Sequence, residues 1–125
     1  MDKSQVSALT TLGDTVKTLV GEVQVPQGAK RIKGISAQAI AAGTMTTAET
    51  LSGILELESP DINLVPSQWM LDCVSALTSG AIAYSPRIYP VDIPVKGGEK
   101  ISGYITLDMA WTGANKGRFQ LIYEF

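Results

Sequence analysis

The strongest constraint on this chain is a strict two-residue alternation in its last quarter. Apolar or small residues occupy every second position of one segment, at Ile101, Gly103, Ile105, Leu107, Met109 and Trp111. A β-strand sends successive side chains to opposite faces, so the segment is predicted to have one apolar and one largely wet face. The alternation recurs after the Gly- and Asn-containing residues 112–117, at Phe119, Leu121, Tyr123 and Phe125. The two segments together predict a β-hairpin that closes the C-terminus of a packed sheet.

The remainder of the chain is typical of an all-β protein. Further strands are predicted at Arg31–Ala39, Thr50–Glu58, Ala81–Tyr84 and Arg87–Val95, separated by Gly and Pro turns. We therefore predict an antiparallel two-sheet sandwich, jelly-roll-like, with about eight short strands and at most one short helix. Residues 63–77 fit either a helix or a strand. The sandwich is predicted to span residues 23–125, preceded by an N-terminal arm or short strands in residues 1–22.

Two turn regions resemble each other. Residues 28–35 and 97–104 share a turn glycine, a basic residue, an isoleucine and a second glycine. The general similarity of β-turns is the simpler interpretation, and a pseudo-duplicated two-sheet fold is the alternative. Pro86, Pro90 and Pro94 lack backbone N–H groups, so their strand is predicted to be an edge or interrupted strand.

The composition argues against catalysis. The chain has no histidine, so it lacks the commonest general base and metal ligand. Its single cysteine, Cys73, lies in an apolar segment and is predicted to be a buried thiol. Glu56 and Glu58 would share the wet face of one strand, where they are expected to aid solubility. We predict no catalytic residues, no cofactor and no metal ligands.

The low charge content favours contact with a partner. Charged residues make up 18% of the chain and the net charge is −2, whereas about 25% is typical, and interface cores are depleted in charge. We predict homo-oligomeric contacts through the uncharged runs Gly34–Ala48 and Cys73–Pro86 and the proline-interrupted strand. The candidate interface residues are Ile40, Met45, Ile82, Tyr84, Ile88, Tyr89 and Pro90.

One basic cluster is present. Lys30, Arg31 and Lys33 are candidate anion contacts, with Arg31 and Lys33 on one side of a strand and Ile32 on the other. A solvated face, or a partner's carboxylate, is the favoured interpretation because the overall balance is acidic, so nucleic-acid binding is not expected. The N-terminal residues lack the apolar stretch of a secretory signal, and no uncharged run is suited to crossing a bilayer.

The C-terminal third has a characteristic sequence of elements. A Pro-Val-Lys-Gly-Gly-Glu-Lys-Ile turn (Pro94–Ile101) leads into a long strand, a Gly/Asn loop and a final strand (Arg118–Phe125), and residues 25–35 have a similar turn. This resembles the small single jelly-roll proteins of virus and phage particles, such as coat, minor capsid or decoration proteins. The resemblance implies a non-enzymatic, self-assembling subunit that contacts itself and other particle proteins in a virion made in the host cytoplasm. The alternative is a carbohydrate- or ligand-binding sandwich of a fibre or adhesin, with Tyr84, Tyr89 or Tyr104 as stacking platforms.

Overall fold

The fold consists of strands and turns in the part of the chain that the structure describes. The computed structural model describes residues 2–8, 10–13, 16–41, 52–64, 67–75, 88–107 and 116–125. Within these ranges there are nine strands and no helix. The strands are β1 (Asp2–Val6), β2 (Thr10–Thr11), β3 (Thr18–Gln24), β4 (Arg31–Ala41), β5 (Ser52–Glu58), β6 (Gln68–Ser75), β7 (Tyr89–Pro94), β8 (Lys100–Leu107) and β9 (Lys116–Glu124).

The strands form two antiparallel sheets. Sheet I has the order β1-β9-β4-β7, with the short β2 also on β9, and sheet II has the order β3-β8-β5-β6. A short parallel pairing of the ends of β4 and β6 joins the two sheets at one corner. Every connection except β5–β6 and the short β1–β2 step passes from one sheet to the other, which is the strand order of a jelly roll. The predicted all-β two-sheet sandwich is confirmed, and within the ambiguous segment Gln68–Ser75 is a strand.

The predicted hairpin of the last two strands is wrong. β8 pairs with β3 and β5, whereas β9 pairs with β1 and β4, so the two strands lie in opposite sheets. Alternation identifies the apolar face of a strand but not the strand that is hydrogen-bonded to it. The apolar faces of β8 and β9 instead face each other across the interior of the sandwich.

The interior between the sheets is filled by side chains. The predicted inward residues of β8 and β9 are almost fully buried, together with residues from the other strands. The largest of these side chains are Tyr123, Phe119, Ile32, Ile35, Leu55, Leu57, Ile101, Ile105, Leu107 and Leu121. Burial of each such side chain contributes about 1.5–3 kcal/mol. Met109 and Trp111, which were predicted to extend this layer, lie outside the described residues.

The two similar turns have the same backbone geometry and lie side by side. In each turn the third residue is a glycine with positive φ, Gly28 at 88° and Gly98 at 91°, as a type II turn requires. The turns are hydrogen-bonded to each other, since Val25 N donates to Glu99 O at 2.8 Å and Gly98 N donates to Val25 O at 2.9 Å. They connect β3 to β4 and β7 to β8, so they hold the same end of both sheets together.

The first 22 residues are described mainly as strands. β1 pairs with β9 from Asp2↔Glu124 to Val6↔Gln120, and β2 pairs with Gly117 and Lys116 of the same strand. Residue 22 itself lies inside β3. The division of the chain into an arm and a sandwich at this residue stays a prediction.

Candidate functional site

The exposed edges of the sandwich are closed by side chains that reach from one sheet to the other. β3 is an edge strand, and its carbonyl groups at Val20 and Gln24 accept hydrogen bonds from Thr10 Oγ1 at 3.0 Å and Gln5 Nε2 at 3.2 Å. On the opposite side, Tyr89 of β7 donates its hydroxyl to the carbonyl oxygen of Met70 in β6 at 2.6 Å. Free edge groups are the usual sites of strand addition. These three edge carbonyls are therefore already hydrogen-bonded within the molecule.

The outer face of sheet II carries an exposed apolar pair. Ile54 of β5 lies directly opposite Met70 of β6, and their exposed fractions are 39% and 65%. Leu19 of β3 is a further exposed large apolar residue on this face. Alternation within β5 predicts that Ile54 faces outward. The sequence does not identify Met70 as its cross-strand partner, because residues 63–77 fit either a helix or a strand.

An ion cluster occupies the middle of the same outer face. Lys17 Nζ lies 2.5 Å from Glu56 Oε1, 2.7 Å from Glu58 Oε1 and 4.5 Å from the centre of the Tyr104 ring. The lysine holds the pKa of the Glu56 carboxyl below its usual range, and the two carboxylates raise the pKa of Lys17. Because the ammonium covers the ring, Tyr104 does not present an open stacking face on that side.

The outer face of sheet I carries exposed apolar side chains as well. Val6 of β1 and Ile88, which precedes β7, are about half exposed. Ile88 and Ile122 both approach Gly34 of β4, where an added Cβ would lie 3.0 Å from Ile88 Cγ2 and 3.1 Å from Ile122 Cδ1. Both sheets therefore present large apolar side chains outward.

The predicted interface residues are only partly within the described structure. Ile40 lies in β4 opposite Lys116, and Tyr89 and Pro90 lie in β7 opposite Ile35 and Gly34. Tyr89 is half-buried, whereas Ile88 and Pro90 are exposed. Met45, Ile82 and Tyr84 lie outside the described residues, as do residues 42–48 and 76–86 of the two uncharged runs. The assignment of these seven residues to an interface stays a prediction.

The predicted anion contacts are exposed at the start of β4. Arg31 Nη1 lies 2.7 Å from Asp92 Oδ1 and lowers the pKa of that carboxyl, and Lys33 Nζ lies 3.8 Å from Glu124 Oε2. Ile32 between them is buried, as the alternation predicted, and Lys33 occupies a β-bulge. Arg31 and Lys33 are thus already paired with carboxylates, and Lys30 is exposed beside them.

Metal clusters and membrane-spanning helices are both absent from the described part of the chain. Among the described residues, no group of three or more His, Cys, Asp or Glu residues is arranged to hold a metal ion. The described part of the chain also contains no helix of the length and hydropathy that spanning a bilayer requires.

Comparison with known proteins gives one similarity of structure. No family model matches the chain, and no curated protein matches it. A solved structure of the infectious bursal disease virus Gx strain is similar with a TM-score of 0.38 and 11% sequence identity, over 97% of this chain and 32% of that chain. This chain thus spans about a third of the length of that one. At this TM-score and identity the superposition establishes neither a shared family nor a shared function.

Proposed function

We propose that this chain is a non-enzymatic, self-assembling structural subunit of a viral or phage particle. The observation that carries the proposal is the outward display of large apolar side chains by both sheets of a sandwich in which three edge carbonyls of sheet II are hydrogen-bonded to side chains of sheet I. A surface of this kind favours contact between faces over strand addition.

The mechanism of such a subunit is geometric. Strands supply rigid outer faces, and the low charge of the chain reduces the cost of removing those faces from water. Burial of Ile54 and Met70 against a neighbouring subunit would add up to about 1.5–3 kcal/mol for each side chain. Contacts between different faces of identical subunits close into rings or shells when the rotation between neighbours permits closure.

The viral part of the proposal is supported by the strand order and by the sequence resemblance. Jelly rolls are used by viral capsid domains, and also by lectins and cupins. The sequence of turns and strands from Pro94 to Phe125 is the part of the chain that resembles particle proteins. We accordingly propose a location in the virion and contacts with other particle proteins.

The ligand-binding alternative has less support from the described tyrosines. The hydroxyl of Tyr89 is bonded to a backbone carbonyl, and one face of the Tyr104 ring is covered by Lys17. Tyr84 lies outside the described residues. A carbohydrate site would need an aromatic face that is open to a sugar ring.

Multi-angle light scattering with size-exclusion chromatography tests the proposal. We expect the purified chain to form a discrete oligomer or closed particle whose mass rises with concentration from the micromolar to the millimolar range, and electron microscopy to show closed objects. A strict monomer over this range would overturn the assembly function. A monomer that also binds immobilised glycans would favour the ligand-binding alternative.

A further inference from the structure

We propose that a depression on the outer face of sheet I binds a carboxylate side chain from a second copy of this chain. The depression has a volume of about 270 Å³, and it lies where β1, β4 and β9 run side by side. It is lined by Val6, Ser36, Ala37, Gln38, Arg118, Phe119 and Gln120. A single water occupies about 30 Å³, so there is room for an acidic side chain. The inference rests on the proposed self-assembly.

The lining presents hydrogen-bond donors because both of its amide oxygens already accept a bond from a neighbouring side chain. Arg118 Nη2 donates to Gln38 Oε1 at 3.2 Å. Since a guanidinium group only donates, this bond orients the Gln38 amide and leaves its NH₂ group available. Ser36 Oγ donates to Gln120 Oε1 at 3.2 Å, which leaves the Gln120 NH₂ group available in the same way.

These donors have no partners within the described part of the chain. Neither amide NH₂ group, nor any other N–H of the Arg118 guanidinium, donates a hydrogen bond to a described residue. Ser36, which orients one of the amides, is only 2% exposed, so its hydroxyl is held in place. One positive charge with two amide donors is a set that fits a carboxylate, which accepts several hydrogen bonds and pairs with the planar guanidinium.

Four of the described basic residues are neutralised by carboxylates, whereas Arg118 is not. Arg31, Lys33, Lys17 and Lys100 each lie within 4 Å of a carboxylate oxygen. Arg118 forms no ion pair with a described residue, and Lys116, two positions earlier on the same face of β9, forms none either. This end of sheet I therefore carries cations that the described chain does not neutralise.

The opposite face of the molecule supplies the complementary charge. On the outer side of sheet II and its adjoining loop, three glutamates (Glu22, Glu56 and Glu58) stand against two lysines (Lys17 and Lys100). The same side carries the exposed pair Ile54 and Met70, while sheet I exposes Val6 at the rim of the depression. When the sheet I face of one copy meets the sheet II face of another, the unpaired cations meet the excess of glutamates, and the exposed apolar residues of the two faces meet each other. This is why a second copy is the proposed occupant.

Sedimentation equilibrium of four proteins tests this site: wild type, Arg118→Gln, Arg118→Lys and the control Lys96→Gln. Arg118→Gln removes the charge and the fork of donors, and we expect its self-association constant to fall at least about ten-fold. Arg118→Lys keeps the charge without the bidentate geometry, so an intermediate loss is expected. Lys96 is an exposed turn residue outside the depression, and its variant removes one positive charge with no expected effect.

The outcomes separate this inference from the function on which it rests. A wild-type protein that stays monomeric overturns the proposed assembly, and the site with it. An Arg118→Gln variant that assembles as readily as an assembling wild type overturns the site alone. An equal fall of the self-association constant in Arg118→Gln and Lys96→Gln also overturns it, because the change in net charge would then account for the loss. Thermal unfolding of each variant establishes that the fold is retained.

Discussion

The ring of Phe119 in β9 lies against Gly103 of β8, so that a Cβ added to Gly103 would be 2.6 Å from Cδ1 of the ring. The relationship is reciprocal one layer along, where a Cβ on Gly117 of β9 would be 2.8 Å from Ile105 Cδ1 of β8. Each strand therefore places a glycine under a large side chain of the other. This interdigitation determines how closely the two sheets approach.

The first prediction concerns this contact. Gly103→Ala should lower the free energy of unfolding by about 1–3 kcal/mol, because the added methyl group overpacks a filled interior. Urea denaturation followed by tryptophan fluorescence measures the change. Ser102→Ala, at the neighbouring half-exposed position of the same strand, is the matched control and should change stability by less than about 0.5 kcal/mol.

A second substitution identifies the cause. Phe119→Leu creates space over Gly103, so the alanine should cost less in that background than in the wild type. If Gly103→Ala lowers the free energy of unfolding equally in both backgrounds, the new methyl group does not contact the Phe119 ring.

The second prediction concerns Tyr123 at alkaline pH. Burial raises the pKa of its phenol from near 10 to about 12, and its hydroxyl donates to Gln5 Oε1 at 2.7 Å. The phenol ionises near pH 10 in the unfolded chain and near pH 12 in the folded one. The free energy of unfolding is therefore unaffected by Tyr123 ionisation below pH 10, and it falls as the pH rises from 10 towards 12. Tyr123→Phe should therefore lose less stability than wild type across this window.

The measurement is the urea midpoint of both proteins at several pH values between 9 and 12. Tyr123→Phe should start lower at pH 9, by about 1 kcal/mol, because it lacks the hydrogen bond. The two curves should then converge. Parallel curves would show that ionisation of Tyr123 does not contribute to alkaline unfolding.

The third prediction concerns Lys17 at acid pH. The lysine lowers the pKa of Glu56. The ion pair therefore adds to the free energy of unfolding above the ordinary glutamate pKa, and this stabilisation is lost as the pH falls through the lowered pKa. Lys17→Gln should reduce the unfolding midpoint slightly at pH 7, and the difference from wild type should vanish under strongly acid conditions. High salt at pH 7 should reduce the difference too, because both pairs are at least partly exposed to solvent. A difference that is independent of pH and salt would contradict the ionic explanation.

The fourth prediction tests the apolar pair of sheet II. Ile54→Thr with Met70→Gln keeps a β-branched residue at position 54 and a side chain of similar length at position 70, but removes apolar surface from the outer face. The double variant should fold with nearly unchanged stability and assemble at a higher concentration than wild type in light scattering. Asn63→Gln, an exposed loop change, is the control. Wild-type assembly by the double variant would exclude this face from the contact.

Much of the fold could be predicted from alternation. Burial of Ile101, Ile105, Phe119, Leu121 and Tyr123 follows from the two-residue period, because side-chain direction is a local property of an extended chain. Strand pairing is not a local property. Alternation does not show whether β8 is hydrogen-bonded to β9 in one sheet or packs against β9 from the opposite sheet. Likewise, the sequence shows the similarity of residues 28–35 to residues 97–104, with Gly28 matched to Gly97, whereas the glycine of equal geometry is Gly98. The hydrogen bonds between the two turns are not visible in the sequence.

The candidate surfaces were less accessible to sequence reasoning. Lys17 and Glu58 are separated by 41 positions, and Gln38 and Arg118 by 80. Such clusters arise only when the sheets bring distant strands together. Outward-facing Ile54 was identifiable from its parity within β5, whereas Met70 needed the pairing of β5 with β6.

The place of β9 has a consequence for synthesis on the ribosome. β9 lies inside sheet I, between β1 and β4, and Ser4 of β1 pairs with Ile122 of β9, far away in the sequence. Sheet I therefore cannot close until residues 116–124 have left the exit tunnel, and until then the inner faces of β1 and β4 lack their shared neighbour. Such pairing between distant segments slows folding, and a nascent chain that still lacks β9 exposes apolar surface and unpaired strand edges, which promote aggregation.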